Sequence, residues 1–108
     1  MIIEKVLENA IRTDNFSRVM DEIVKLGPEI YNNSHNRSVR ILSQKEIKDP
    51  VTWLDFDFGS LGIIPLFDIQ DNNYIGYCEE KNKYIIINVI DEIVYEEGTL
   101  SQLLASLG

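Results

Sequence analysis

The 108-residue sequence predicts an α+β fold with N-terminal helices, a mainly antiparallel β-sheet meander and a short closing C-terminal helix. Within residues 2–26, apolar residues recur every three or four positions, which is typical of amphipathic helices. After Ile63, β-branched and aromatic runs are separated by short turn-forming segments, which forces neighbouring strands to run antiparallel. The length suits one domain, so we expect a single core over 1–108, with a helical part (1–38) and a sheet-rich part (39–108).

The helical part contains two periodic stretches. Apolar residues between Ile2 and Ile11 share one helical face. The segment 13–15 (Thr-Asp-Asn) then offers N-cap residues for a second helix, which we expect to end at Gly27 because glycine favours the left-handed C-cap conformation. The polar, asparagine-rich segment 29–38 predicts a loop.

Two short elements follow this loop. Residues 39–42 (Val-Arg-Ile-Leu) predict a short strand. Ser43 and Glu46 have the spacing of a capping box, in which each side chain accepts a hydrogen bond from the other residue's backbone, so a helical turn is expected to start there. Asp49-Pro50 should end that turn, because proline disfavours helical geometry at the residue before it.

The hydrophobic period changes after Trp53. Apolar residues at 54, 56 and 58 alternate with Asp55 and Asp57, which predicts a strand with one apolar and one acidic face. The two carboxylates would then lie about 7 Å apart on that face. The glycine-rich segment 59–62 predicts a turn.

Four further strands are predicted over residues 63–69, 74–79, 84–90 and 93–96. The run Ile85-Ile86-Ile87 lacks polar alternation, so its strand should be central and covered on both faces. Thr99 and Gln102 form a second capping-box pattern, which predicts a final helix whose leucines pack on the sheet.

The net charge of −8 comes entirely from the C-terminal half. Residues 1–54 carry equal numbers of acidic and basic side chains, whereas residues 55–108 carry ten acids and only Lys81 and Lys83. Such a half repels phosphate backbones, so we expect no direct nucleic-acid binding. It attracts a basic protein partner.

The sequence also indicates a compartment. No signal-peptide pattern opens the chain, and its apolar runs are far shorter than the roughly 20 residues needed to cross a bilayer. Cys78 is the only cysteine, so an intramolecular disulfide is not possible. We therefore expect a cytoplasmic protein without a membrane partner.

Candidate catalytic and metal-binding residues are few. His35 is the only histidine and lies in the polar loop, while Cys78 lies in a strand pattern, where free cysteine usually acts as a small hydrophobe. The turn Asp68–Asn73 clusters oxygen ligands, but it lacks the spacing of a calcium loop, and Asp and Asn are also common turn formers. The sequence therefore predicts no catalytic residue, no cofactor and no metal site. A small hydrolase, which would use either Asp55 and Asp57 or a cation bound in this turn, is an alternative to a protein that only binds a partner.

The segment from Gly62 to Leu107 has a recognisable order of elements. It contains Gly62-Ile63-Ile64-Pro65-Leu66-Phe67-Asp68, an Asp/Asn turn, Tyr74-Ile75-Gly76-Tyr77, a hydrophobic strand, an acidic strand near Tyr95-Glu96, and Thr99-Leu100-Ser101-Gln102-Leu103-Leu104. This order resembles the SUKH superfamily, which includes bacterial immunity proteins and fungal cell-wall synthesis regulators. Residues 39–47 are similar to the family's earlier strand and its following turn. The resemblance implies an α+β fold and, for bacterial members, neutralisation of a polymorphic toxin by tight binding.

These observations lead to the hypothesis of a non-enzymatic immunity protein that binds a cognate toxin, with a basic, nuclease-type toxin as the favoured partner. A regulatory or scaffold domain that binds a cellular protein is the alternative, as the fungal relatives imply. The sequence does not fix the oligomeric state. The candidate partner-binding residues are Asp55, Asp57, Asp68, Asp71, Glu79, Glu80, Glu96, Glu97, Trp53 and Tyr77.

Overall fold

The computed structural model describes residues 2–107 and confirms the α+β class. Within this range, six strands form one antiparallel sheet in the order in which they follow along the chain. The strands are β1 (Ile30–Asn32), β2 (Ser38–Ile41), β3 (Ile63–Asp68), β4 (Asn73–Cys78), β5 (Lys83–Asn88) and β6 (Ile93–Gly98). The helices are α1 (Ile3–Val6), α2 (Glu8–Thr13), α3 (Phe16–Leu26), α4 (Gln44–Lys48), α5 (Pro50–Leu54) and α6 (Leu100–Ser106), with a 3-10 helix at Gly59–Leu61.

The first predicted helix is divided into α1 and α2. Leu7 lies between them with φ −98° and ψ 11°, outside helical geometry, and its side chain is fully buried. The next prediction is confirmed: the Asn15 side chain caps α3 by accepting the backbone N–H of Arg18 at 3.3 Å. α3 ends at Gly27, whose φ of 74° suits a residue without a side chain.

The prediction of a loop over 29–38 was wrong, because this segment contains β1 and the start of β2. The hairpin is organised by Asn33, the one buried polar side chain among the described residues. Its Oδ1 accepts the backbone N–H groups of His35 at 3.0 Å and Arg37 at 2.8 Å. The turn thus depends on side-chain hydrogen bonds, and a three-residue strand such as β1 leaves little hydrophobic pattern to detect.

The prediction of a strand over 54–58 was also wrong. Pro50 begins α5 in the favourable first helical position, and Asp49 caps it by accepting the backbone N–H of Thr52 at 3.3 Å. Asp55 then ends the helix in the left-handed conformation, with φ 55°. The alternating aromatic side chains do share one environment, since the Phe56 and Phe58 rings pack edge to face at 4.8 Å, but no strand pairs with this segment.

The remaining elements agree with the predictions. Both capping boxes are present, Ser43 with Glu46 at α4 and Thr99 with Gln102 at α6. The four C-terminal strands pair antiparallel, with one register shift between β3 and β4 and one between β5 and β6. Leucines of α6 are buried, at positions 100, 103 and 104.

The sheet separates two apolar clusters. On one face, α1, α2, α3 and α6 pack against it, and we call this the helical face. The other face carries a smaller cluster built around Phe58, Ile63 and Ile85, and we call it the aromatic face. The β5 run is covered on both faces as predicted, since Ile86 joins the first cluster and Ile85 and Ile87 join the second. β5 is not central, however, because it lies next to the edge strand β6.

Candidate protein-binding surface

The meander places the candidate carboxylates at opposite ends of the sheet. The β3–β4 and β5–β6 turns lie side by side, joined by a 3.0 Å hydrogen bond from the Val89 N–H to the Asn72 carbonyl. Asp68 and Asp71 belong to this end. The β4–β5 turn, with Glu79 and Glu80, lies at the other end. The sheet therefore does not bring all the candidate residues into one site.

Lys81 connects the β4–β5 turn to Glu97 of β6 at the second end. The Lys81 Nζ lies 2.6 Å from Glu97 Oε1, between the β4–β5 turn and β6. This hydrogen bond lowers the pKa of Glu97 and raises the pKa of Lys81. One of the two lysines of the acidic half is thereby engaged by a carboxylate of the same half.

Asp68 is part of a structural network. Arg40 donates two hydrogen bonds to the Glu46 carboxylate, both at 2.9 Å, and its Nη2 lies 3.4 Å from Asp68 Oδ2. The Arg40 hydrogen bonds lower the pKa of Glu46 to about 2, and the Ser43 backbone N–H contributes. Asp68 therefore connects β3 to β2 and α4, and only part of its carboxylate faces solvent.

Asp55 and Asp57 do not form the predicted strand-face pair. Asp55 occupies the C-cap of α5. Asp57 accepts the backbone N–H of Ser60 at 3.1 Å and so supports the start of the 3-10 helix. Both side chains are exposed. Their spacing reflects local turns rather than a sheet face.

The two candidate aromatic anchors have different environments. Trp53 is 54% exposed on α5, with the Lys45 Nζ 5.3 Å from the centre of its ring. Tyr77 is half-buried and stacks on Phe16 with ring centroids 4.1 Å apart, and its hydroxyl donates to Asn82. Trp53 is thus available to a partner, whereas Tyr77 mainly fixes α3 against the sheet.

A groove on the aromatic face collects residues that the sequence did not predict as a group. It has a volume of about 230 Å³. We call it the β6 groove. Its floor and walls are apolar and its rim is mostly charged: Leu61, Ile63, Cys78, Ile85, Ile87 and Val94 line it, and Glu80, Lys81, Glu92 and Glu97 surround it. Val94 with the nearby Glu92 and Glu97 was the available signal in the sequence. The extra residue in β6 and the contribution of residues 61 and 63 depend on the tertiary fold.

The residues considered for catalysis or metal binding remain apart. Within residues 2–107, no group of three or more His, Cys, Asp or Glu side chains is arranged to hold a metal ion. His35 is exposed in the β1–β2 turn, and Cys78 is buried at the floor of the β6 groove. In the turn Asp68–Asn73, the Asp68 carboxylate accepts the N–H of Gln70 at 2.9 Å. Gln70, Asp71 and Asn72 all have positive φ, a conformation that Asp and Asn tolerate. These residues therefore serve to form the turn between β3 and β4.

One further buried group has no partner in the protein. Among the described residues, no atom forms a hydrogen bond with the Tyr84 hydroxyl, and the residue is 3% exposed. Burial raises the pKa of this phenol above its ordinary value, with Asp14 contributing. Tyr84 belongs to the apolar cluster on the helical face and does not line the β6 groove.

No helix within residues 2–107 is long and apolar enough to cross a membrane.

Comparison of the chain with protein-family models, curated proteins and solved structures finds no significant match.

Proposed function

We propose that the chain is a non-enzymatic protein-binding domain, and specifically a cytoplasmic immunity protein of the SUKH type that neutralises a cognate toxin by direct binding. The observation that carries the proposal is the presentation of its acidic side chains. Seven of the eight candidate carboxylates are exposed, all but Asp68. Five of the seven project from turns and the edge strand of a single sheet, and the other two, Asp55 and Asp57, lie between α5 and the 3-10 helix. The sequence resemblance to the SUKH superfamily supplies the class of partner.

The charge distribution supports a basic partner. Strand pairing fixes the backbone that carries the exposed carboxylates, so their negative electrostatic field has a constant direction. Such a field accelerates association with a positively charged protein. A nuclease toxin fits this requirement because its own active site has to hold phosphate. Electrostatic complementarity contributes mainly to rate and specificity, so exposed apolar and aromatic anchors have to supply much of the affinity.

The experiment surveys the genes adjacent to this one for toxins and co-expresses each such toxin with the chain. Full protection of growth, together with a complex between this chain and a catalytically inactive form of the toxin, is the expected outcome. Absence of both would overturn the proposal. Stable binding to a cellular protein, without protection against the neighbouring toxin, would instead identify a regulatory or scaffold domain.

A further inference from the structure

The β6 groove is the part of the aromatic face that the chain leaves uncovered. Phe56 and Phe58 pack over the region of β3 and β4, whereas the surface between the 3-10 helix and β6 stays open. Leu61 and Val94, which line the opening, are 50% and 42% exposed. Ile85 and Ile87 lie at its floor. The groove therefore offers an apolar floor to an incoming side chain.

Exposed apolar residues concentrate on β6 and on the turn that precedes it. Among residues 2–107, nine large hydrophobic side chains are exposed, and four of them lie between positions 90 and 95: Ile90, Ile93, Val94 and Tyr95. β6 is an edge strand, and it pairs only with β5 within the described sheet. Exposed apolar side chains on a free strand edge are typical of a contact site for another chain.

The rim determines what can bind there. Three carboxylates surround the apolar floor, from Glu80, Glu92 and Glu97, against one ammonium group, from Lys81, which already contacts Glu97. A second copy of this chain would bring the same carboxylates and a net charge of −8 to the contact, so repulsion disfavours self-association. The extra residue in β6, where Ile87 and Ile86 pair with Val94 and Glu96, further disturbs regular pairing between two edges.

We propose that the β6 groove is the docking site for a segment of the partner protein in which an apolar side chain is flanked by lysine or arginine residues. The apolar side chain enters between Leu61 and Val94, and the basic groups pair with Glu80, Glu92 and Glu97. This inference rests on the proposed function and specifies the surface through which the partner is held.

The direct test uses the full chain labelled with ¹⁵N and three short capped peptides: leucine flanked by lysines, serine flanked by lysines, and leucine flanked by glutamates. With the first peptide, amide shifts should centre on the groove, at residues 61, 63, 78, 80, 85, 87, 92, 94 and 97. Affinity should fall several-fold for the serine peptide, and the glutamate peptide should not bind. Shifts spread over all the acidic turns, or equal for the two lysine peptides, would overturn the proposal.

Matched variants separate the groove from the overall charge. The rim variant Glu80→Gln/Glu92→Gln/Glu97→Gln should weaken binding of the leucine–lysine peptide by about tenfold, because three charge pairs are lost. The control Glu8→Gln/Asp21→Asn/Glu22→Gln changes the net charge equally on α2 and α3 and should stay within about twofold. Val94→Thr keeps the side-chain shape and tests the apolar contact, with an expected loss of about threefold. Equal weakening by the rim and control variants would contradict the proposal.

The same variants distinguish this inference from the proposed function. Suppose that the unmodified chain protects against the neighbouring toxin, but the rim variant binds that toxin as tightly as the control variant does. The groove is then not the docking site, while the proposed immunity function is still supported. If the unmodified chain forms no complex with the toxin while the leucine–lysine peptide still occupies the groove, the immunity function fails instead.

Discussion

Arg40 shows how one side chain connects separate elements at the residue scale. From β2 it reaches Glu46 on α4 and Asp68 at the end of β3. The Glu46 carboxylate also accepts the backbone N–H of Ser43 at 2.9 Å. One carboxylate therefore caps α4 and, through Arg40, connects that helix to β2. The network is half-buried, which makes its ion pair stronger than an exposed one.

Glu46→Gln should lower the free energy of unfolding at pH 7 by about 1–2 kcal/mol. The folded-state pKa of Glu46 is about 2, below the ordinary value of 4.5, so its contribution is complete above about pH 4.5 and is lost as the pH falls through 2. Urea unfolding from pH 7 to pH 2 should therefore show the difference between the two proteins narrowing below pH 4.5. Glu22→Gln, which removes an exposed pair with Lys25, is the control and should change stability by less than about 0.5 kcal/mol. A constant difference at all pH values would contradict this account of Glu46.

Gly76 is required by a close approach between β3 and β4. A Cβ atom at this position would lie 2.6 Å from Ile63 Cγ2 and 2.9 Å from the Ile64 carbonyl oxygen. Gly76→Ala should therefore lower the free energy of unfolding by about 2–3 kcal/mol, because the paired strands have to move apart. Gly59→Ala is the control, since its Cβ would meet only Asp57 Oδ1 at 3.5 Å, an ordinary contact. Thermal unfolding of both variants tests the prediction, and equal midpoints would refute it.

Tyr84→Phe removes the buried hydroxyl that has no protein partner. Since an unsatisfied polar group lowers stability, the variant should be as stable as the parent or more stable by up to about 1 kcal/mol. Chemical unfolding measures this directly. A loss above about 1 kcal/mol would mean that the hydroxyl makes a favourable interaction in solution.

At the scale of elements, Asn33 ties the β1–β2 hairpin to the C-terminal helix. Its Nδ2 donates to the carbonyl oxygens of Leu104 at 2.9 Å and Leu107 at 2.6 Å. These are carbonyls of the last turn of α6 and of its C-cap, which the helix itself leaves without partners. One amide group therefore completes both the turn that it belongs to and a helix about 70 residues further along the chain.

Asn33→Asp should lower the free energy of unfolding by about 2–3 kcal/mol, because a carboxylate cannot donate to the two carbonyls and would face them as a buried charge. Asn32→Asp is the matched control on an exposed neighbour and should change stability by less than about 0.5 kcal/mol. Hydrogen exchange should show faster opening of α6 in the first variant alone. If the α6 amides exchange alike in both variants, Asn33 does not hold this helix.

Elements with a local signal could be predicted from the sequence. The capping boxes at Ser43 and Thr99, the glycine stop at Gly27 and the hairpin turns all depend on neighbouring residues, and the structure contains each of them. β1 could not be predicted, because its hairpin depends on Asn33 and that residue's contact with α6. The segment 54–58 carries an alternating pattern because its aromatic side chains share a cluster, and periodicity alone does not show whether a partner strand is present.

At the scale of the whole molecule, the two faces of the sheet are unequally covered. The helices protect the helical face, while the aromatic face is closed by a short segment and stays open along β6. The sequence predicted a set of partner-binding carboxylates, but it did not predict how the structure divides them among different roles. Asp68 belongs to the Arg40 network, Asp57 supports a turn, and Glu80 and Glu97 border a groove whose apolar lining comes from four separate segments.

The central claim, that this acidic sheet binds a basic protein, is tested most directly by the association kinetics of the chain with a catalytically inactive toxin found among the products of adjacent genes. We predict a 1:1 complex whose association rate constant falls at least about tenfold as salt rises from about 20 mM to about 0.5 M, because ions screen exposed charges. Failure to form a complex at micromolar concentrations, or an association rate that does not change with salt, would contradict the claim.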